Sequence, residues 1–487
     1  MLRSKYRFQF LVGLFSIIYL LLVLYFFIDD NYLPLILPIC ISVFLLPIFS
    51  YKNIFYPLIF LTPLSVPLSE ITSFGLGEMA LPTEPILFGL LILTLCRMIY
   101  DWKLFKPIIR HSIFSVICIY LLWMFITCIT STMPLISFKY FLSKIWFIFP
   151  LVVMGPLLFK DAKIIERFVL LYTVPLTIVI IYTIQKHAGY SFDKQSAHYM
   201  MSPFFKDHTS YGAIIVFFLP LTITLLVIKK HKFFIRVLII AMLLIMLVGL
   251  VLSFTRAAWL SLLISLIIAA ILKFRINRKL LFSSPFIILC FLWFSKDAIL
   301  GFLEKNTQDT SDNLFEHVSS ISNISTDASN VERINRWHCA LYMFYDKPMY
   351  GFGPGTYQFQ YAPYQLLKYY TVIRTNTGEG GNAHSEYLGP LCESGLLGLI
   401  TFLYMVLFIM IKAINMYYEA QNKQQRTIIL TLIISLSSYF LHGFFNNFLD
   451  TDKAAVPVWI AVAILISLDL YYKKNQDLYS NCEDKIS

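Results

Sequence analysis

The sequence is short of charge. Only 14% of its 487 residues are Asp, Glu, Lys or Arg, against roughly 25% in an average soluble domain. A soluble chain of this length would also divide into about three domains separated by polar linkers. Here apolar runs of about 18 residues or more recur from end to end instead. That excludes a secreted, cytosolic, fibrous or disordered protein. Chemical signatures are missing too. There is no CxxC, no HExxH and no GxSxG, which sets aside several metal and serine-nucleophile chemistries. The eight cysteines (Cys40, Cys96, Cys118, Cys128, Cys290, Cys339, Cys392 and Cys482) mostly lie inside apolar runs. They read as small core residues, not as a metal site or disulfide set. No internal repeat and no low-complexity tract is present.

What the chain has is hydrophobicity, at 58%, in runs that do not alternate with polar residues. A membrane β-barrel would alternate. The expected fold class is therefore all-α: a polytopic transmembrane helical bundle of about 12–14 spans. Fourteen candidate helices lie near 9–28, 32–50, 54–68, 84–100, 112–130, 144–159, 164–184, 211–228, 233–252, 256–273, 281–295, 385–411, 427–443 and 455–472. The third carries Pro57, Pro63 and Pro67 and is expected to be broken or re-entrant. Arg3, Lys5 and Arg7 precede the first run, but that run meets no small-residue cleavage site, so it reads as a retained span.

The net charge of +11 suggests nucleic acid in a soluble protein. In a membrane protein it follows from the excess of Lys and Arg in cytoplasmic loops. With the N-terminus inside, 25 of the 39 Lys and Arg fall on cytoplasmic segments. Of the 14 outside, seven lie in one long loop to which the rule does not apply. Both termini are thus expected inside, with a large outer loop, 296–383, between the eleventh and twelfth spans. Three regions follow: N-terminal helices over 1–204, a core with its outer loop over 205–445, and the last span with a tail over 446–487. The loop holds nine acids and seven bases, which is no nucleic-acid patch. Its first half is polar. Its second half is rich in aromatics, such as Tyr342, Tyr345, Tyr350, Tyr357 and Tyr361, and should fold back onto the membrane face. Such rings serve as interface anchors or as platforms for sugar rings.

Ionisable groups at a membrane are costly, so each is a functional candidate. Four clusters lie on the outer side. In Ser253-Phe254-Thr255-Arg256, Arg256 stands at a helix N-terminus. That end is already positive, so a cation there suits an anion such as a diphosphate; the plain alternative is snorkelling to headgroup phosphates. In Gly380-Gly381-Asn382-Ala383-His384-Ser385-Glu386, His384 and Glu386 mark the return of the long loop to the membrane. A neutral imidazole there can act as a general base, or it can simply cap the loop. Glu393 lies about two turns further in, and a buried carboxylate needs a partner. In Lys206-Asp207-His208-Thr209, Asp207 and Thr209 are natural helix caps, and Lys206 and His208 are placed to touch a substrate phosphate. In Glu332-Arg333-Ile334-Asn335-Arg336, the two arginines share a helical face. The glycines that follow, Gly351, Gly353 and Gly355, precede no Gly-Lys-Ser/Thr and read as a tight turn. Asp450 and Asp452 form an Asp-x-Asp that turn chemistry explains better than a metal.

Three of these stretches occur in a telling order: SFTRAAW, then RxxRW…DKPxxGxGPGT, then NAHSEYLGPLCESGLLG. With many spans and one large outer loop, the chain resembles the O-antigen ligase and polymerase superfamily over about 205–445. The resemblance implies a glycosyltransferase at the outer face of the bacterial inner membrane that needs neither metal nor nucleotide. The donor would be a glycan on undecaprenyl diphosphate. The acceptor would be the lipid A core for a ligase, or another lipid-linked repeat unit for a polymerase. His384 would ready the acceptor hydroxyl and Arg256 would bind the diphosphate. A dianionic leaving group fits cations beside a helix end. Glu393 would join the catalytic set, with Lys206, His208, Arg333, Arg336 and Glu386 contacting substrate. The implied partners are the lipid-linked donor, a saccharide acceptor and the bilayer, with no nucleic acid and no cofactor. The competing class is a flippase for the same lipid-linked glycan, which should show inverted repeats and charges at mid-membrane depth. The candidate charges here lie at the outer rim.

Overall fold

The computed structural model describes residues 52–71, 79–228, 231–275, 328–365 and 380–472. The apolar segments expected at 9–28, 32–50 and 281–295, and loop residues 296–327 and 366–379, lie outside the described residues. In hydrocarbon no water satisfies a backbone N–H or C=O, so apolar runs close their own hydrogen bonds as helices. The described helices are α1 (Lys52–Leu61), α2 (Thr83–Tyr100), α3 (Trp102–Ile109), α4 (Ser112–Ile129), α5 (Pro134–Leu158), α6 (Ala162–Ala188), α7 (His208–Ile228), α8 (Phe233–Leu252), α9 (Arg256–Lys273), α10 (Ala328–Asp346), α11 (Leu388–Glu419), α12 (Lys423–His442) and α13 (Asp452–Ser467). Among the described residues, nine helices are long and apolar enough to cross a membrane: α2, α4 to α9, α11 and α13. The protein is an integral membrane protein.

The third apolar segment is broken. Helix α1 has ten residues, with Pro57 inside it, and rises only about 15 Å. A 3₁₀ turn over Thr62–Leu64 ends it. Val66–Pro67 then pairs with Ala80–Leu81 in a two-residue antiparallel bridge. Helix α5 starts at Pro134, ten residues before the expected 144. Proline suits a first helical position. Ser137, which read as loop, and Lys144, the expected first residue of the helix, are buried inside the bundle. Helix α12 starts with Lys423-Gln424-Gln425-Arg426, which keeps it out of the nine.

One hydrophobic core runs from Ile54 to Leu468. Its centre is α13, near the end of the chain, which is buried along its whole length against α5. The approach is close because both surfaces are small. A Cβ on Gly155 would lie 2.8 Å from the Cβ of Ala463, the small-residue packing that membrane helices favour. Helix α12 packs on α7 and α9, and α11 on α4. Helices α8 and α9 turn Leu244, Leu247, Val248, Leu263 and Ile267 outward, as lipid-facing surfaces do.

The two ends of the bundle differ. At one end Asp469 accepts from His111 at 3.0 Å and Lys412 at 2.8 Å, and Lys103, Lys106, Arg110, Lys163 and Arg426 lie at the helix termini around it. At the other end α2, α5, α7, α9, α11 and α13 begin and α4, α6, α8 and α12 finish. Every candidate site residue is at this second end.

Candidate active site

The site is assembled from two helix starts, one helix end and the loop 380–387. Helix α7 is capped by Asp207, whose Oδ1 accepts from the Thr209 hydroxyl at 2.6 Å and the Ser210 N–H at 2.7 Å. The next residue, His208, stands edge-on to His198 with ring centroids 4.1 Å apart. Its carbonyl accepts the Thr255 hydroxyl at 2.8 Å. Gly212 permits that crossing, since a Cβ there would lie 2.9 Å from Thr255. This contact pulls the start of α9 against α7. Phe254, with φ +50°, takes a left-handed backbone that bulky residues rarely adopt. Thr255 is extended and its hydroxyl does not cap α9. In the first turn of α9 the N–H groups of Ala258 and Trp259 both donate to the Thr255 carbonyl, at 3.1 and 3.3 Å.

The loop is held by α10. Arg336 is 5% exposed. Its Nε donates to Glu332 at 2.8 Å, and its Nη1 donates to the Asn382 carbonyl at 3.3 Å. Its guanidinium lies 4.9 Å over the Tyr361 ring. Gly381, with φ +86°, runs so close that a Cβ would sit 2.2 Å from Arg336 Nη1. Trp337 Nε1 donates to the His384 carbonyl at 3.3 Å, and the His384 N–H donates to Asn382 Oδ1 at 3.0 Å. His384 itself has φ +47°. Thus both candidate segments, 253–256 and 380–386, carry a residue in a costly backbone state that its surroundings must impose.

Glu386 and Glu393 anchor the frame. Glu386 Oε1 accepts from the Tyr439 hydroxyl at 2.8 Å and from the N–H groups of Phe448 at 2.7 Å and Leu449 at 2.8 Å. Its own N–H donates to the Gly443 carbonyl at 2.8 Å. Burial pushes its carboxyl upward, and Asp450 adds to this, while Lys144 and those donors oppose it. Glu393 accepts from the Tyr357 N–H at 3.0 Å, and its carbonyl accepts from Gly353 at 2.8 Å. The glycine-rich stretch is thereby more than a tight turn. It is wedged between α11 and the α4–α5 turn, with Gly351 at φ +67° and Gly353 at φ +115°, and Thr132 N donates to the Phe352 carbonyl at 2.9 Å. Helix α11 breaks at Gly395, φ +71°, to receive it.

The electrostatics join these pieces. His384 lies within reach of Arg336, Arg333 and Asp207. Burial and the two arginines push its imidazole down to about 3, against the pull of Asp207. It is therefore neutral at physiological pH. Burial raises the Asp207 carboxyl, but Thr209, Ser210, His208 and His384 together hold it below its ordinary value. Of the expected site residues, His208, Arg333 and His384 share one cluster with Asp207 and the start of α9. Lys206 is exposed at its edge. Arg336 and Glu386 are buried and Glu393 is half-buried, and all three are engaged with protein groups.

Some members were not legible beforehand. His442, the last residue of α12, is 1% exposed and faces Arg333, Asp207 and His208. Its position at the outer end of an apolar run was the available signal. Asp450 bonds Lys144 and takes the Tyr140 hydroxyl at 2.9 Å. Asp452 accepts the hydroxyls of Ser65 and Thr83. Both carboxylates of that turn are thus used by protein donors. Among the described residues no three His, Cys, Asp or Glu converge as a metal site.

Residues 241–403 match the family model described as O-antigen ligase. Over those residues the chain is similar to that family, which supports its resemblance to the O-antigen ligase and polymerase superfamily. The matched O-antigen ligase domain is about a third of the chain and contains Arg256, Arg333, Arg336, His384, Glu386 and Glu393. Lys206, Asp207, His208 and His442 lie outside it and complete the same cluster from flanking helices. The match carries glycosyltransferase-type activity in general. No curated protein matches the chain.

Proposed function

We propose that this protein is a glycosyltransferase of the bacterial inner membrane. It moves a glycan from undecaprenyl diphosphate to an acceptor sugar at the periplasmic face, without a metal. The observation that supports this best is the convergence of His384, Asp207, His208 and Arg333 with the start of α9 at one end of the bundle. The cationic helix termini at the opposite end favour a cytoplasmic location for that end, and so for both chain termini. The functional core is 205–445, including the loop 296–383, with an N-terminal region, 1–204, before it in the chain and the last span with its tail, 446–487, after it.

In this reading His384 takes the proton of the acceptor hydroxyl as its oxygen bonds the anomeric carbon. The bond from that carbon to the diphosphate oxygen breaks, and the diphosphate leaves with the electron pair. Arg256 and the positive N-terminal end of α9 receive the growing charge. Lys206, His208 and Arg333 line the anion's approach. Diphosphate offsets the two arginines beside His384 and so raises its basicity once the donor is bound. Arg336, Glu386 and Glu393 serve by position, because their polar atoms already hold the loop, the α12–α13 turn and the glycine wedge. The acceptor is the lipid A core for a ligase or a lipid-linked repeat unit for a polymerase.

The test is transfer by purified protein in vesicles, given lipid-linked glycan and a glycolipid acceptor. His384→Ala should lower turnover by roughly 10²–10⁴-fold, the share of a positioned general base. Arg256→Ala should weaken donor use. Full turnover in His384→Ala rejects the assignment. Movement of donor across the vesicle wall without product supports a flippase instead.

A further inference from the structure

Lys144 lies inside α5 and is only 6% exposed. Its ammonium donates to the Leu449 carbonyl at 3.2 Å and to Asp450 Oδ1. One turn earlier in α5, the Tyr140 hydroxyl donates to the same Asp450 oxygen at 2.9 Å. From the other side, Glu386 Oε1 accepts the N–H groups of Phe448 and Leu449. Leu449 is therefore held twice, by Lys144 at its carbonyl and by Glu386 at its N–H. The Lys144 charge also faces Glu386 and Glu393.

Neither Lys144 nor Asp450 lies in the matched residues, 241–403, and the functional reading uses neither. Their placement gives them a use. Glu386 is two residues from His384, and its N–H is tied to the Gly443 carbonyl at 2.8 Å. His384 holds φ +47°, a state that its surroundings must impose. A reacting group has to be kept within about 0.5 Å of its working position by the packing and hydrogen bonds behind it. The same turn of α5 also backs the glycine wedge, since a Cβ on Gly355 would lie 2.9 Å from Tyr140.

We propose that Lys144 is a positioning residue for His384: it fixes Leu449 and Asp450, that turn fixes Glu386, and Glu386 fixes the loop. The assignment deepens the functional reading above and rests on it. It makes α5 a working part of the site, so the region 205–445 does not suffice alone. Stability by itself does not call for a charge here, because apolar residues of similar volume are often as stable as a buried ion pair. What the lysine adds is a fixed direction for the Leu449 carbonyl and the Asp450 carboxylate.

The experiment records hydrogen–deuterium exchange and thermal unfolding of the full protein in detergent, together with transfer in vesicles, for Lys144→Met and for Lys144→Met with Asp450→Asn. The single variant leaves Asp450 beside Glu386 without its cation. The double variant removes that charge, so it should recover most of the unfolding temperature. It does not recover the bond to the Leu449 carbonyl. Both variants should therefore exchange roughly tenfold faster over 443–450 and 380–387, through local opening of the turn and the loop. Both should also turn over roughly 10²-fold more slowly, with KM within about threefold of wild type, as expected when a reacting group is misplaced. Exchange at the wild-type rate over 380–387 in both variants overturns the proposal. So does turnover that returns with the unfolding temperature in the double variant, which would make the pair structural. So does a loss confined to KM. The functional reading fails separately, if His384→Ala retains full transfer; exchange over 380–387 then still decides whether Lys144 holds the loop.

Discussion

The grip of α10 on the His384 loop rests on a buried ion pair, and its worth can be worked from the structure. Arg336 and Glu332 are 5% and 7% exposed, and their bond is 2.8 Å long. Removing one partner of such a pair costs about 3–5 kcal/mol, because the other charge stays buried. Replacing both by apolar residues of similar size is often nearly neutral. Arg336→Met also gives up the bond to Asn382 and the stack on Tyr361, so it should cost the full amount. Glu332→Met leaves those two contacts in place and should cost less. The double variant should recover most of the loss. The reporters are Cys339 and Cys392, both fully buried in the small cluster beneath Arg336. Burial pushes the Cys339 thiol up to about 12, so it reacts only when α10 lifts from α11. With the other cysteines replaced, maleimide labelling should accelerate by at least 100-fold in Arg336→Met, since each 1.4 kcal/mol is tenfold. In the double variant it should return to within about tenfold of the parent. A single variant that labels at the parent rate, or a double variant faster than Arg336→Met, refutes the reasoning.

Other consequences are as direct. Gly353→Ala should destabilise the wedge and reduce transfer, because φ is +115° and a Cβ would fall 1.9 Å from Ser131 Oγ; a backbone strain of about 1–3 kcal/mol is expected in thermal unfolding. Glu386→Gln should lower turnover with little change in donor binding, since three donors converge on one carboxylate oxygen and a neutral amide holds them more weakly; steady-state kinetics separate the two effects. The His384 imidazole is held near 3 when folded and near 6.5 when unfolded. The neutral ring's contribution to stability is therefore complete above pH 6.5 and is lost as pH falls from 6.5 toward 3. His384→Asn should flatten that part of the unfolding-temperature profile, and an unchanged slope between pH 6 and 4 would count against the buried cluster.

Much of the bundle was legible because hydrocarbon leaves the backbone few choices. Apolar runs such as 112–130 and 233–252 became helices within about two residues of the expected ends. The misses arose where polar side chains are buried by pairing. Lys144 read as the outer start of a helix and not as a buried residue within one, because its partner, Asp450, is 306 positions away. Pairing across such distances has no local signature. The segment at 54–68 failed as a span because Pro57 and Pro63 break its ladder after Leu61. At the site, the structure places His384, His208 and Arg333 near one another at one end of the bundle. Their division of labour was not legible in the sequence. That Arg336, Glu386 and Glu393 are occupied by Asn382, Phe448, Leu449 and Tyr357 depends on backbone atoms that only the folded chain brings near. His442 was readable as a residue at the end of an apolar run, but its direction was not.

The central claim is that His384 performs the transfer, and the most direct test is made in cells. Wild type is replaced by His384→Ala, and both the surface polysaccharide and the pool of glycan on carrier lipid are resolved on gels. The account predicts a defect at the transfer step. Long chains accumulating on the carrier with a bare lipid A core identify a ligase, and single repeat units on the core without a ladder identify a polymerase. An unchanged pattern in both pools would contradict it and leave His384 a structural residue of the loop.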